Sequence, residues 1–235
     1  MHSADLVAHL EAIAPPGLAE EYDDGRIGLI VEGKEDIETV CCALDATPSV
    51  AREASRRGAD LLVVHHTPIW EGVTAIRGGL AATLTPLLQT GTALYVMHTN
   101  FDRAPGGVND TLAALLGLTD RCPMTMGCVG RCTRTLDEMA AAIGGNVRVW
   151  GECGDPERIG IVAGSGFDPA LIAEAAALGA DAFLSSELKH HVARTAPIPC
   201  IESTHYALEA PAMQALSRRE GWDYIEDMPP LRTIP

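Results

Sequence analysis

Short apolar runs alternate along the chain with amphipathic stretches that close on glycine or proline. Ala4 to Ile13 places its apolar residues on one face of a helix and is stopped by Pro15 and Pro16. Ile27 to Val31 is an apolar run suited to a buried strand. Ser49 to Arg57 reads as a helix ended by Gly58, with the strand Leu61 to Val64 after it. Leu80 to Gln89 continues as helix and Ala93 to Met97 as strand. A further helix, capped by Asn109 or Asp110, runs to Leu116 and is closed by Gly117. Strands and helices taking turns in this way predict βαβ units and an α/β fold.

The second half of the chain echoes the first. Arg26 to Val31 has a counterpart in Arg158 to Val162. Glu53-Ala54 followed by Gly58-Ala59-Asp60 recurs as Glu174-Ala175 followed by Gly179-Ala180-Asp181, each time leading into an apolar strand. A weaker third pairing matches the strand ending at His98 with one ending near His205. The echo predicts two similar α/β lobes, each a mostly parallel sheet flanked by helices. They are expected over residues 1–125 and 126–235, packed tightly and divided near Pro123 to Arg134.

Composition narrows the function. The chain has 235 residues, is 47% hydrophobic and carries a formal net charge of −15, which suits a folded protein with an acidic surface. Its only lysines are Lys34 and Lys189. Such a surface argues against non-specific binding to nucleic acid or to an anionic membrane, and leaves a small molecule as the expected partner. The N-terminal stretch has no basic segment ahead of an apolar one, and no apolar run approaches the roughly 18 residues of a membrane span. A cytoplasmic protein is expected. Seven cysteines are an odd number for a disulfide framework. Cys122, Cys128, Cys132 and Cys153 contain no C-x-x-C pair, so they read as buried thiols rather than a zinc site.

The candidate chemistry lies where predicted strands end. His65-His66 follows LLVV, His98-Thr99-Asn100-Phe101-Asp102 follows ALYVM, and His205-Tyr206-Ala207-Leu208-Glu209 follows the apolar stretch around Ile201. In open parallel sheets ligands bind outside the carboxyl ends of strands, so clusters distant in sequence can converge there. The strand before the doublet is expected to end at Val64, because adjacent strand residues point to opposite faces and the two imidazoles would otherwise separate. His205 and Glu209 are spaced i, i+4, on one face of a helix. Imidazole with carboxylate suits zinc, iron or manganese. Three histidines (His65, His66, His205) and two carboxylates (Asp102, Glu209) exceed the needs of one tetrahedral ion and suit two. Glu187 falls opposite His66 in the repeat and is a candidate for moving a proton. A second doublet, His190-His191, is expected on a helix and at the surface. Gly164-Ser165-Gly166 leads to Asp168 and Pro169, an N-cap and first turn, and is read as a wall of the site.

VVHHTPIW, MHTNFD with GGVND, and THYALE, in that order, resemble the NIF-three-like family, many of whose members carry the name type 2 GTP cyclohydrolase I. The resemblance extends to APPGLAEEYDDGRIGLIV, GADAFLSSE and YIEDMPP, nearly the full chain, in a short form without the insertion some members have between lobes. It implies two divalent ions in the cleft between two lobes, held by His65, His66, Asp102, His205 and Glu209, with His98 close by. It also implies a homohexamer and a hydrolase that acts on a nucleotide or related heterocycle through metal-activated water, with His98 and Glu187 as catalytic candidates. The alternative is a metal-binding or metal-delivery protein, or a regulatory partner, without turnover. Tyr22-Asp23-Asp24-Gly25 stands where Trp-Asp-Asn is common in the family, and Ser186-Glu187 where Gly-Glu is frequent.

Overall fold

The alternation expected from the pattern is present, together with strands the pattern did not show. The structure is a computed structural model that describes residues 1–232. The chain divides into two units, residues 1–104 with 213–235, and residues 105–212. Each contains one sheet with helices about it.

The first unit holds α1 (Ser3–Ile13), β1 (Gly28–Val31), β2 (Val40–Asp45), α2 (Pro48–Arg56), β3 (Leu61–His66), α3 (Gly78–Thr90), β4 (Ala93–Val96) and α4 (Thr99–Arg103). The second holds α5 (Val108–Leu115), β5 (Thr119–Pro123), β6 (Cys128–Arg131), α6 (Leu136–Ala142), β7 (Arg148–Trp150), β8 (Arg158–Ile161), α7 (Pro169–Ala177), β9 (Ala182–Ser185), α8 (His190–Thr195) and β10 (Cys200–Glu202). Last come α9 (His205–Glu220) and β11 (Asp223–Tyr224), and β11 belongs to the first sheet.

The first sheet runs β1-β4-β3-β2-β11, parallel except where β1 meets β4. Its core gathers Ala43, Val50, Ala54, Leu62, Leu87 and Leu94. Local chemistry explains the helix ends. The Thr47 hydroxyl accepts from the Val50 N–H and Pro48 opens α2, so an otherwise orphaned amide is satisfied where the helix begins. Gly91 ends α3 in the left-handed region, at φ +67°. Two strands of this sheet are absent from the sequence reading, the two-residue β11 and β2, whose VCCALD lacks a run of large apolar residues. Its cysteines act as small hydrophobes, and both are fully buried.

The second sheet runs β5-β6-β8-β9-β10-β7, with a parallel centre, β8-β9-β10, between antiparallel neighbours. Val129, Ile172, Ala175, Phe183, Val192 and Cys200 pack together about it.

Topology moves the internal repeat. β2-β3-β4 with antiparallel β1 corresponds to β8-β9-β10 with antiparallel β7. The counterpart of β8 is therefore β2, although its sequence is closer to β1. The Gly-Ala-Asp match survives, and its reason is visible. Gly58 and Gly179 both have positive φ, +71° and +85°, which ends the helix and turns the chain. Asp60 accepts from the N–H groups of Glu38 and Thr39, which lead into β2. Asp181 accepts likewise from Glu157 and Arg158, at the start of β8. Both aspartates tie adjacent strands together where backbone donors lack a ladder partner.

Two local expectations change. The N-cap of α5 is Gly107, not Asn109 or Asp110. The Asn109 side-chain oxygen instead accepts from the Ala163 N–H. The doublet is also part of β3, which extends to His66 rather than stopping at Val64.

Candidate metal centre

In the first unit the candidate residues sit at the carboxyl ends of β3 and β4. His65 and His66 end β3; Met97 and His98 follow β4; Asp102 lies in the first turn of α4. The doublet stays on the strand, yet its ring centroids are 4.8 Å apart. β3 pairs with β4 only as far as Val64 and Val96, and with β2 through Asp45 opposite His66. Beyond Val64 the strand has a neighbour on one side only, so the pleat no longer forces the rings onto separate faces.

Each imidazole is held through Nδ1. His65, fully buried, has Nδ1 2.7 Å from the Met97 carbonyl oxygen. A carbonyl only accepts, so Nδ1 carries the hydrogen. His66 Nδ1 lies 2.7 Å from Asp45 Oδ1, and His98 Nδ1 lies 2.8 Å from Asp23 Oδ1. A carboxylate selects the same tautomer in both. All three rings therefore present Nε2 as the remaining nitrogen. His65, His66 and His98 offer ligand atoms that all lie within 4.8 Å of one another, and could hold a metal ion. Asp102 Oδ1 is 3.5 Å from His65 Nε2.

Asp23 is fully buried, and burial alone would raise its pKa. Hydrogen bonds from His98 and from the Thr99 side chain and N–H outweigh that and hold it below the usual carboxylate range. Two exposed aromatic rings border His98. Trp70 meets it edge to face with centroids 5.1 Å apart, and Tyr22 does so at 6.4 Å. Partial loss of water around its hydroxyl, and the charges of Asp23, Asp102 and Glu20, push the Tyr22 phenol up to about 12, so it stays neutral at ordinary pH. The Arg26 guanidinium lies 5.9 Å from the Trp70 ring centroid.

In the second unit the same kind of strand end carries different residues. β9 runs into Ser186 and Glu187, and β10 into Ser203, Thr204 and His205, the first residue of α9. The i, i+4 spacing sets His205 Nε2 2.9 Å from Glu209 Oε2. Its Nδ1 is 2.8 Å from Glu187 Oε1. Glu209 is buried and approaches the loop at Gly164. A Cβ on that glycine would lie 2.1 Å from Glu209 Oε1, and its φ of +69° disfavours any side chain. The Gly-Ser-Gly turn thus makes room for a carboxylate; the Asp168 N-cap and Pro169 first turn of α7 follow it as expected.

These donor sets fit a cation. On His205 an acceptor stands at each nitrogen, Glu187 on Nδ1 and Glu209 on Nε2. On His65 the Met97 carbonyl takes Nδ1 while Asp102 faces Nε2. A neutral imidazole that gives its hydrogen to Nδ1 turns a lone pair toward the carboxylate, and two acceptors at that range need a shared cation, a proton or a metal ion.

His65, His66, His98 and Asp102 are thus brought together in one unit, and Glu187, His205 and Glu209 in the other. His190 and His191 lie on α8 with both rings exposed. The cysteines are free thiols; Cys128 and Cys132 are buried, whereas Cys122 and Cys153 are only half-buried. The sequence reading missed Asp23, Asp45 and the Met97 carbonyl. Asp45 had one signal, a carboxylate closing an apolar run.

Comparison with known proteins adds a family, two relatives and two solved structures. The family model described as Duf34/NIF3 (NGG1p interacting factor 3) matches residues 1–220. A Streptomyces coelicolor protein named GTP cyclohydrolase 1 type 2 homolog is 31% identical, over 94% of this chain and 88% of the relative. A Pyrococcus horikoshii protein of the same name is 32% identical, over 83% of this chain and 84% of the relative. Among solved structures, protein ybgI, described as of unknown function, superposes with a TM-score of 0.86 at 28% identity, over 98% of this chain and 99% of that one. Reduced HcgD from Methanocaldococcus jannaschii gives 0.81 at 27% identity, over 95% and 96%.

Proposed function

Because the chain belongs to the Duf34/NIF3 family, we propose that it is a metal-dependent hydrolase, similar to type 2 GTP cyclohydrolase I and acting on a nucleotide or related heterocycle. The observation that carries this reading is the set of imidazoles whose Nδ1 atoms are committed to acceptors, with carboxylates facing the Nε2 atoms of His65 and His205. His65, His66, Asp102, His205 and Glu209 are the proposed ligands of two divalent ions, zinc, iron or manganese. Such ions supply a water of lowered pKa and a Lewis acid for the bond under attack.

The protein's own residues account for the proton. His98 presents Nε2 as a base, and Asp23, ionised and fully buried, stabilises the imidazolium that forms when Nε2 takes a proton. Trp70 and Tyr22 give the same ring an aromatic border, and Arg26 places a positive charge beside Trp70. That combination suits a flat heterocycle bearing an anionic group. No helix among the described residues is long and apolar enough to cross a membrane. A cytoplasmic homohexamer is proposed from the family resemblance.

The test is turnover. Protein of defined metal content, assayed against GTP and other nucleotides, should release product, lose activity on chelation and regain it with one of the three metals. His98→Ala should lower kcat by about 100-fold or more, the usual worth of a positioned acid–base group. Absence of turnover with every divalent ion would overturn the hydrolase reading.

A further inference from the structure

His66, His98 and His205 share a feature beyond their own chemistry: each gives its Nδ1 hydrogen to a carboxylate. The partners are Asp45 at 2.7 Å, Asp23 at 2.8 Å and Glu187 at 2.8 Å. They come from different elements: the end of β2, the turn before β1, and the turn after β9. We propose that Asp45, Asp23 and Glu187 are positioning residues, which set these histidines in the Nδ1–H tautomer before any ion arrives. The inference rests on the metal-binding reading above, and it assigns Glu187 to ring orientation rather than to proton transfer.

Glu187 carries the argument furthest. Among the described residues it is one of two non-glycine positions with positive φ, at +64°. A residue with a Cβ occupies that region at a cost that glycine escapes. Burial does not repay it, since the Glu187 side chain is 59% exposed. The neighbours impose the turn. Ser185 and Ser186 donate their hydroxyls to the Gly164 carbonyl at 2.9 and 2.6 Å, and the Leu188 N–H donates to Glu202 at 3.0 Å. Held between these anchors, residue 187 aims its side chain at His205. Strained backbone conformations persist where the surroundings over-determine them, and they cluster at functional sites. The glutamate's evident return is the carboxylate on His205 Nδ1.

Asp45 does the same in the first unit with an ordinary backbone. Its place opposite His66 in the β2–β3 register puts carboxylate and imidazole side by side. An imidazole without such a partner divides between two tautomers, only one of which exposes a lone pair at Nε2. Partners of this kind fix both tautomer and ring orientation, and losing one typically costs about 10–100-fold in metal affinity.

The experiment reads tautomer and affinity separately. Histidine ring nitrogens are observed by ¹⁵N NMR in the full chain stripped of metal, at pH 8.5, and zinc affinity is measured by competition with a chelating dye. In the wild type, His66 and His205 should each carry a hydrogen on Nδ1, whether or not a second proton sits between His205 Nε2 and Glu209. Asp45→Ala and Glu187→Ala should each lose that form at the partnered ring and bind zinc about 10–100-fold more weakly. Glu187→Gln, whose amide oxygen still accepts, should keep part of the affinity. Glu187→Gly separates positioning from structural support: zinc affinity should fall as in the alanine variant, while the Tm of the metal-free protein holds or rises because the backbone relaxes. Wild-type rings in the Nε2–H form, or variants that bind zinc as tightly as wild type, would overturn the proposal. Should the wild type bind no divalent ion while its rings are Nδ1–H, the metal reading fails and the tautomer assignment stands.

Discussion

His65-His66 and His190-His191 are the same dipeptide in two settings. The first closes β3, with Met97, Asp45 and Asp102 arranged around its nitrogens. The second opens α8, where neighbouring side chains diverge by about 100° and both rings face solvent. A strand should separate adjacent side chains even more than a helix does. The pair on β3 nevertheless stays together, because the ladder to β4 stops one residue earlier and the acceptors pull both rings into place. Residue type supplies a candidate ligand; a surrounding set of acceptors is what fits it for a cation.

Three measurements would break or sharpen that contrast. His65→Ala should have the largest effect. It removes a fully buried ring together with one of the proposed ligands, and losing even a ligand's partner costs about 10–100-fold. Zinc affinity should fall by more than about 100-fold, read by competition titration. Near-normal affinity would show that the doublet is not part of the centre.

The second measurement concerns acid. Asp23 is held below the usual carboxylate range by His98 and Thr99. A group whose folded pKa is depressed stabilises the fold above its unfolded value, about 3.9, and that contribution is lost as pH falls through the folded value. Urea unfolding of metal-free protein should therefore show stability declining from about pH 4 downward, with a shallower decline in Asp23→Asn. Equal slopes would mean that the buried carboxylate contributes nothing to acid sensitivity. The smallest effect is expected on the other doublet. His190→Ala and His191→Ala lie on an exposed helix face and should change stability by no more than about 0.5 kcal/mol in chemical denaturation. Zinc content, measured by mass spectrometry, should stay at the wild-type level; a drop in either variant would erase the contrast.

How far each feature could be read in advance follows from its physics. α1, α2 and α7 announced themselves through punctuation, since Pro15, Gly58 and Pro169 act on the backbone locally, and α3 was legible as a helical stretch before a strand. β2 did not, because VCCALD lacks bulky apolar residues and its burial comes from the strands beside it. Missing β2 also hid Asp45, and led the repeat to be aligned through β1. The Gly-Ala-Asp match was legible because both copies perform one local task, turning the chain and receiving two backbone donors.

The sequence by itself determined which side chains were available and roughly where. Histidines and carboxylates follow apolar strands, an i, i+4 pair sits on a helix, and glycines end helices, all of them properties of near neighbours. The tertiary structure decided which nitrogen of each histidine is committed. Met97 holds His65 across 32 residues, Asp45 holds His66 across 21, and Asp23 holds His98 across 75. Hydrogen-bond direction depends on atoms within about 3 Å, and no periodicity along the chain encodes which distant acceptor will arrive there.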